Sequence, residues 1–373
     1  MPPSFHVLFT VNLFFPFLSC PNTLSSETGM DLDTWVSLHV QRHKERSVVL
    51  AQKMSVTSPD WKLRLAESNR TQVIVSQDGS GDFMTINEAV TNIPLHNTRR
   101  VVIRINSGVY REKVNIPKTM RFVTLVGNAS DPPTITGNDT ASTVSGRDGT
   151  PLRTFQTATV TVDADYFISI NVKFENSAPH VVGRRGEQAA ALRISGTKAA
   201  FYSCSFYGSQ DTLYDHKGLH YFNNCLIQGS VDFIFGYGTS LYENCYLNSV
   251  TKKVASVTAQ KRSDSSIASG FSFKNCTVTG SGSIYLGRAW GDYSRVVFSY
   301  TFLDKIVLPQ GWSDWGKTSR DRKVYYGEYK CSGGGANVTG RVTWARVLTD
   351  EEAMPFIGTY YIDGDSWLIN PSL

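Results

Sequence analysis

Asp211 and Asp232 stand 21 residues apart, in the segments QDTL (Gln210–Leu213) and DFIFG (Asp232–Gly236). The same interval separates Cys204 from Cys225, each set in an aromatic-rich, alternating segment. If the cysteines stack in successive turns of a repeat, the carboxylates stack with them, their backbones about 4.8 Å apart. Two carboxyl groups so close do not both ionise cheaply, so one pKa should rise and the other fall, leaving an acid beside a base. Gln188 precedes Gln210 by nearly the same interval and would bring an amide from the preceding turn. Arg288, in LGRAW (Leu286–Trp290), is the candidate cation that decides which carboxylate stays charged. Each residue also has a plainer reading. An Asp in a β-protein turn usually caps backbone amides, Arg288 beside Trp290 forms a stacking pair, and Gly287 marks a close backbone approach. Asp232 resists the plainer reading because it opens an apolar Phe-Ile-Phe run, where an unpartnered charge is costly.

The elements that would hold these residues read as a repeat. FYSCSF (Phe201–Phe206), YFNNCLI (Tyr221–Ile227), LYENCYL (Leu241–Leu247) and FSFKNCTV (Phe271–Val278) place a Cys at the same point of one strand pattern. Phe167–Phe174 and Val296–Leu303 are degenerate copies. The Cys intervals of 21, 20 and 31 residues describe one supersecondary unit with a loop inserted in one copy. A period of about 20–25 residues, rich in β-branched and aromatic residues and punctuated by Gly, Asn and Ser, predicts an all-β parallel solenoid. A β-sandwich is the alternative from strand and turn signals; the regular inward Cys favours the solenoid. Helices are expected at Thr85–Asn92, ended by Pro94, and at Asp350–Met354, capped by Thr349 or Asp350, both covering open ends of the core.

Composition narrows the class. The 373 residues carry 37 Lys plus Arg against 32 Asp plus Glu, a formal +5, with 41% hydrophobic and 18% charged residues. These values describe a globular core, and the scattered charge argues against nucleic acid while leaving an acidic polymer open. Val7–Leu18 has the length of a signal-peptide apolar region, and no other run approaches the ~20 residues of a membrane span. The chain divides into a signal peptide at 1–24, a polar extension without clear period at 25–71 and a catalytic solenoid at 72–373. Asn69, Asn128, Asn138, Asn275 and Asn337 head glycosylation triplets. With Cys20 removed, the five remaining cysteines leave at least one free thiol; Cys204–Cys225 and Cys245–Cys276 pairings and buried thiols all stay open. No G-x-S-x-G, H-E-x-x-H or phosphate-loop motif occurs, and His216 and His220 form no ligand-like cluster, so no metal is expected.

The ordered motifs resemble the plant-type pectin methylesterases over about Val73–Leu368. GVYRE (Gly108–Glu112), QAAAL (Gln188–Leu192), QDTL, DFIFG and LGRAW are similar to that family's G-x-Y-x-E, Q-A-V-A-L, Q-D-T-L, D-F-I-F-G and L-G-R-P-W. The resemblance implies a right-handed parallel β-helix that hydrolyses galacturonate methyl esters in homogalacturonan, without a cofactor. It implies Asp232 as nucleophile, Asp211 as acid and then base, Gln188 and Gln210 as oxyanion donors, and Arg288 as the group holding Asp232 ionised. Trp290, Trp312, Tyr214 and Phe235 resemble aromatics lining the sugar groove, and Thr154 a substrate-contacting threonine. The resemblance further implies a secreted, cell-wall, monomeric glycoprotein open to proteinaceous inhibitors. Ala289 and Ala190 replace the family's Pro and Val without removing a reacting group, and APHVVGRRGE before Gln188 could reshape the groove through Arg184 and Arg185. About fifty residues between signal and solenoid are too few for a four-helix inhibitor-like bundle. Carboxylates about 5 Å apart would also suit a retaining glycosidase, and a lyase would want Asp ligands for Ca²⁺. A non-catalytic wall-binding paralogue is the third reading.

Overall fold

The computed structural model describes residues 60–369 apart from 147 and 180–183, together with several helical positions between 34 and 45. The signal-like segment, most of the extension and Cys20 lie outside the described residues. Each coil of the chain runs through three short strands, and each strand pairs in parallel with its counterpart one coil away. The result is a parallel β-helix with three faces. One face is an eleven-stranded sheet that includes Ala199–Tyr202, Leu219–Asn223 and Thr239–Glu243. The second includes Ser205–Tyr207 and Leu226–Gly229, and the third Leu192–Ile194, Leu213–Asp215 and Ile234–Gly236. Two long strands, Tyr246–Gln260 and Thr277–Arg288, cross from the second face to the third, with a register shift between Val250 and Val254. The coil between Cys245 and Cys276 is thus the long one, as the wider spacing of these two cysteines requires.

The corner between the first two faces needs a left-handed residue, and Ser203, Asn224, Asn244 and Asn275 supply it with φ of 50–57°. Asn tolerates this region because its short amide bonds locally. Each is followed by an inward Cys, and Cys204, Cys225, Cys245 and Cys276 are buried free thiols. Cys331 is also free, so none of the described cysteines forms a disulfide. Beside them an aromatic ladder fills the core. Phe201, Phe222, Tyr242, Phe273 and Phe298 stack face to face at 4.4–4.7 Å between ring centroids.

Helix α1 (Trp61–Ser68) interrupts the segment read as an extension without period, and the first strand begins at Thr71. Its short length gives no visible period, yet Leu63 and Ala66 pack on Phe122, Ala200 and Tyr221. Arg100, buried beneath it, pairs with Glu67 at 2.7 Å. Helix α2 (Ile86–Thr91) carries a Thr85–Glu88 capping box and plugs the N-terminal end with Ile86, Ala89 and Val90. Glu112 of GVYRE accepts from the Ile86 and Asn87 amides, 3.0 and 2.9 Å, so this motif anchors the plug.

Helix α3 (Asp350–Ala353) forms where expected, capped by Thr349, but it does not cover an open end. It and Phe356 pack on the outer side of the first face against Tyr325 and Val297. The C-terminal core is instead shielded by Cys331, Ala336, Val342 and Trp344, whose ring meets Tyr326. A single-turn helix presents too little apolar surface to close a three-faced coil. All five glycosylation triplets have exposed asparagines.

Two measurements test this interior. Phe222→Ala, which removes a ring stacked on both sides, should cost about 3–5 kcal/mol in urea unfolding. Dithiothreitol should leave the melting temperature of the mature chain unchanged, and a thiol titration of the denatured chain should find all five of these cysteines.

Candidate active site

Asp211 and Asp232 occupy the turns that lead from the second face into the third. The register Leu213↔Ile234 and Tyr214↔Phe235, extended two residues back, sets them side by side. The Asp211 amide donates to Val231 O at 3.0 Å and the Asp232 amide to Ser256 O at 2.8 Å, which continues the ladder through both. Both are left-handed, with φ of 66° and 51°. Such strain in non-glycine residues persists only where surrounding structure imposes it, and it gathers at functional sites.

Their surroundings differ. The Asp232 carboxylate accepts two bonds from Arg288 Nε, 2.7 and 2.9 Å, and a third from Arg288 Nη2. Ser256 Oγ donates to its Oδ1. Asp211 meets no donor among the described residues. Both are buried, at 8% exposure for Asp211 and 4% for Asp232. Burial pushes the Asp211 carboxyl well above the usual carboxylate range, and the Asp232 charge raises it further against a smaller opposing pull from Arg288. Burial raises Asp232 as well, but the Arg288 and Ser256 bonds draw it back. The expected division into one raised and one lowered pKa is therefore corrected: both rise, unequally, because desolvation acts on both. The Arg288 and Ser256 bonds favour the charged form at Asp232, and burial without a donor favours the protonated form at Asp211.

Gln210 directly precedes Asp211 and Gln188 belongs to the coil before; both are half-buried, with no side-chain partner among the described residues. The Ala189 amide bonds Gln210 O, so Ala189 is level with Gln210 and Gln188 sits one step back along its coil. Tyr214 and Phe235 stack at 4.3 Å on the outer side of the third face, and Trp290 lies 6.1 Å from Phe235. Thr154 opens a short 3₁₀ turn, Thr154–Gln156. It is the next residue, Phe155, that faces Tyr214 and His216 edge-on, 45% exposed with the Arg193 guanidinium 3.9 Å over its ring. Burial beside Arg193 lowers His216 to about 4, so it is neutral near pH 7.

Trp312 does not line a groove. It is 1% exposed, stacked on Tyr326 at 4.4 Å, and its indole donates to Glu328 at 3.0 Å. Trp315, further along the same turn, is 40% exposed and lies 3.7 Å from the Arg288 guanidinium. Both rings belong to one GWSDW stretch, and a motif gives no sign of which turns inward. Ser256, Phe155 and Trp315 are the site residues that sequence reasoning misses. Ser256 has no motif to mark it, and it follows Asp232 through the coil of irregular length, where spacing is no guide.

The LGRAW strand is held from behind. A Cβ on Gly287 would come within 2.4 Å of Thr258 Oγ1 and 3.2 Å of the Trp312 ring, so only glycine fits. Ala289 donates its amide to Ser313 O at 2.9 Å, a bond that proline cannot make. Arg320 reaches the Ala289 and Trp290 carbonyls and pairs with Asp292 at 2.9 Å. Among the described residues, no cluster of three or more His, Cys, Asp or Glu is placed to hold a metal.

The pectinesterase family profile matches residues 72–365. Pectinesterase QRT1 of Arabidopsis thaliana is 46% identical over 305 residues, which cover 81% of this chain and 80% of that protein. The chain belongs to the pectinesterase family. Its fold is that of the family's solved members: a pectin methylesterase from carrot superposes with a TM-score of 0.73 at 34% identity, covering 79% of this chain and 94% of the other. A pectin methylesterase in complex with a hexasaccharide superposes at 0.67 with 26% identity, covering 80% and 98%. The pectinesterase match contains both carboxylates, both glutamines and the arginine, so the geometry above lies wholly within the shared region.

The raised Asp211 carboxyl has a consequence for stability. The folded state holds its proton more tightly than the unfolded chain, so this group's contribution to stability falls as pH rises from the unfolded carboxylate pKa to the folded one. Asp211→Asn removes that loss. The variant should melt higher than the wild type at neutral pH, with the gain shrinking as pH falls toward 4, as calorimetry across pH would record.

Proposed function

We propose that the chain hydrolyses the methyl esters of galacturonate residues in homogalacturonan, with Asp232 as nucleophile and Asp211 as general acid and base. The observation that carries the assignment is the asymmetry of the pair: one carboxylate gripped by Arg288 and Ser256, its neighbour buried without a donor. The bidentate arginine favours the charged form of Asp232 and fixes the orientation of its carboxylate, one oxygen of which is the nucleophile. That oxygen attacks the ester carbonyl carbon. The carbonyl oxygen becomes an oxyanion, for which the free amides of Gln188 and Gln210 are the available donors. Collapse expels the methoxy group, and Asp211 gives it the proton that methoxide needs to leave as methanol. The acyl group then rests on Asp232 as an anhydride. Asp211, now ionised, takes a proton from water, and the hydroxide attacks the acyl carbon. This frees the galacturonic acid, which loses its proton to solvent, and restores Asp232 as carboxylate and Asp211 as acid. No step requires a cofactor.

Phe155, Trp290 and Trp315, backed by the buried stack of Tyr214 and Phe235, form an apolar surface suited to sugar rings. The glycosidase reading is weaker because a retaining pair needs a nucleophile on the anomeric carbon, whereas flanking amides suit a carbonyl oxygen. We further take residues 1–24 as a signal peptide, 25–71 as an extension and the mature enzyme as a monomer of the cell wall, accessible to proteinaceous inhibitors. No helix among the described residues is long and apolar enough to cross a membrane.

Highly methylated pectin incubated with the secreted protein should yield methanol with no loss of polymer length; shortened chains would overturn the esterase assignment. Asp232→Asn should abolish methanol release while folding normally. Arg288→Lys, which keeps the charge but loses the planar fork, should lower kcat/KM by about a hundredfold.

A further inference from the structure

Lys261 is the residue after the long strand Tyr246–Gln260, and its amide donates to Gly236 O at 2.7 Å. Ala259, two residues before it, pairs with Phe235 and belongs to the outer cluster of Tyr214, Phe235 and Trp290. By the two-residue alternation of a strand, Lys261 points to the same side. Its ammonium lies 4.2 Å from the centroid of the Trp290 ring, in the same LGRAW segment as the arginine that grips Asp232.

No described carboxylate pairs with it. Lys113, Lys198, Lys274 and Lys330 each have an acidic partner. Around Lys261 the acids are already engaged: Asp232 by Arg288, Asp292 by Arg320, and Asp264 by the amide and hydroxyl of Ser266. The side chain of Arg262 turns away, spent on the Ile267, Ser265 and Tyr293 carbonyls. A lysine on an indole face keeps its N–H donors free for an anion. The substrate supplies that anion, since each ester hydrolysed leaves a carboxylate beside esters still to be cut.

We propose that Lys261 is a specificity residue that binds a free galacturonate carboxylate on a sugar neighbouring the one whose ester reaches Asp232. The inference rests on the esterase reading above. It makes the enzyme favour stretches already carrying free acid over fully esterified ones.

Wild type, Lys261→Gln and Lys261→Arg would be assayed for methanol release on two oligogalacturonide pools of equal length, one fully methylated and one partly de-esterified. Expressed per ester, the wild type should show the higher kcat/KM on the partly free pool, through KM. In Lys261→Gln the ratio between pools should fall about three- to tenfold, the range for a partly exposed charge contact, and Lys261→Arg should retain it. A lysine that merely covers Trp290 would lower both pools alike and leave the ratio intact; that result, or a wild type without preference, overturns the proposal. Methanol from neither pool with wild type would sink the esterase reading itself, an outcome distinct from an unchanged ratio.

Discussion

The structure depends on register. In a parallel ladder every coil copies the alignment of the one before, and a slip of one residue turns every side chain in a strand to the opposite face. The pairing of Leu192 with Leu213 and of Leu213 with Ile234 sets Asp211 beside Asp232. The ladder of the first face, built on the same coils, keeps the Phe201–Phe298 rings inside beside the cysteines. Interior packing and the outer carboxylates are thus two readings of one alignment. The aromatic ladder tolerates little offset between its rings, so the core enforces the alignment that the site needs.

Within that frame, the chemistry comes from unequal neighbours. Desolvation penalises both carboxylates, and the protein answers it for one only. The Arg288 fork and the Ser256 hydroxyl reach Asp232 from the two following coils, while Asp211 has only Gln210 beside it on its own coil and Gln188 on the coil before, amides that have no hydrogen-bonding partner of their own among the described residues. The cost of leaving Asp211 without a donor is a conformationally and electrostatically uncomfortable residue, the usual signature of a group kept for reaction and not for stability.

How much of this was legible in the sequence follows from coil length. Where successive coils keep one short, near-constant length, equal spacing in sequence is adjacency in space, and the Cys and Asp intervals could be read directly. Beyond Cys245 the coil lengthens, and simple offsets stop working. That is why Arg288 needed a motif to be found, and why Ser256 and Lys261 had none. Trp312 and Trp315 show a second limit: near a strand end two close tryptophans look alike, and only packing against Tyr326 decides which is core. Helix α1, of eight residues, and the side-docked α3, of four, show a third, since elements this short carry too little periodicity to announce what they cover.

The coils that carry the site lie in the middle of the rod, with several turns of ladder and a separate covering element on either side. In a solenoid each turn is supported only by its neighbours, so thermal opening starts at the ends and travels inward. The reacting groups are therefore insulated from fraying by expendable turns, much as the central teeth of a zip stay meshed after both ends have loosened.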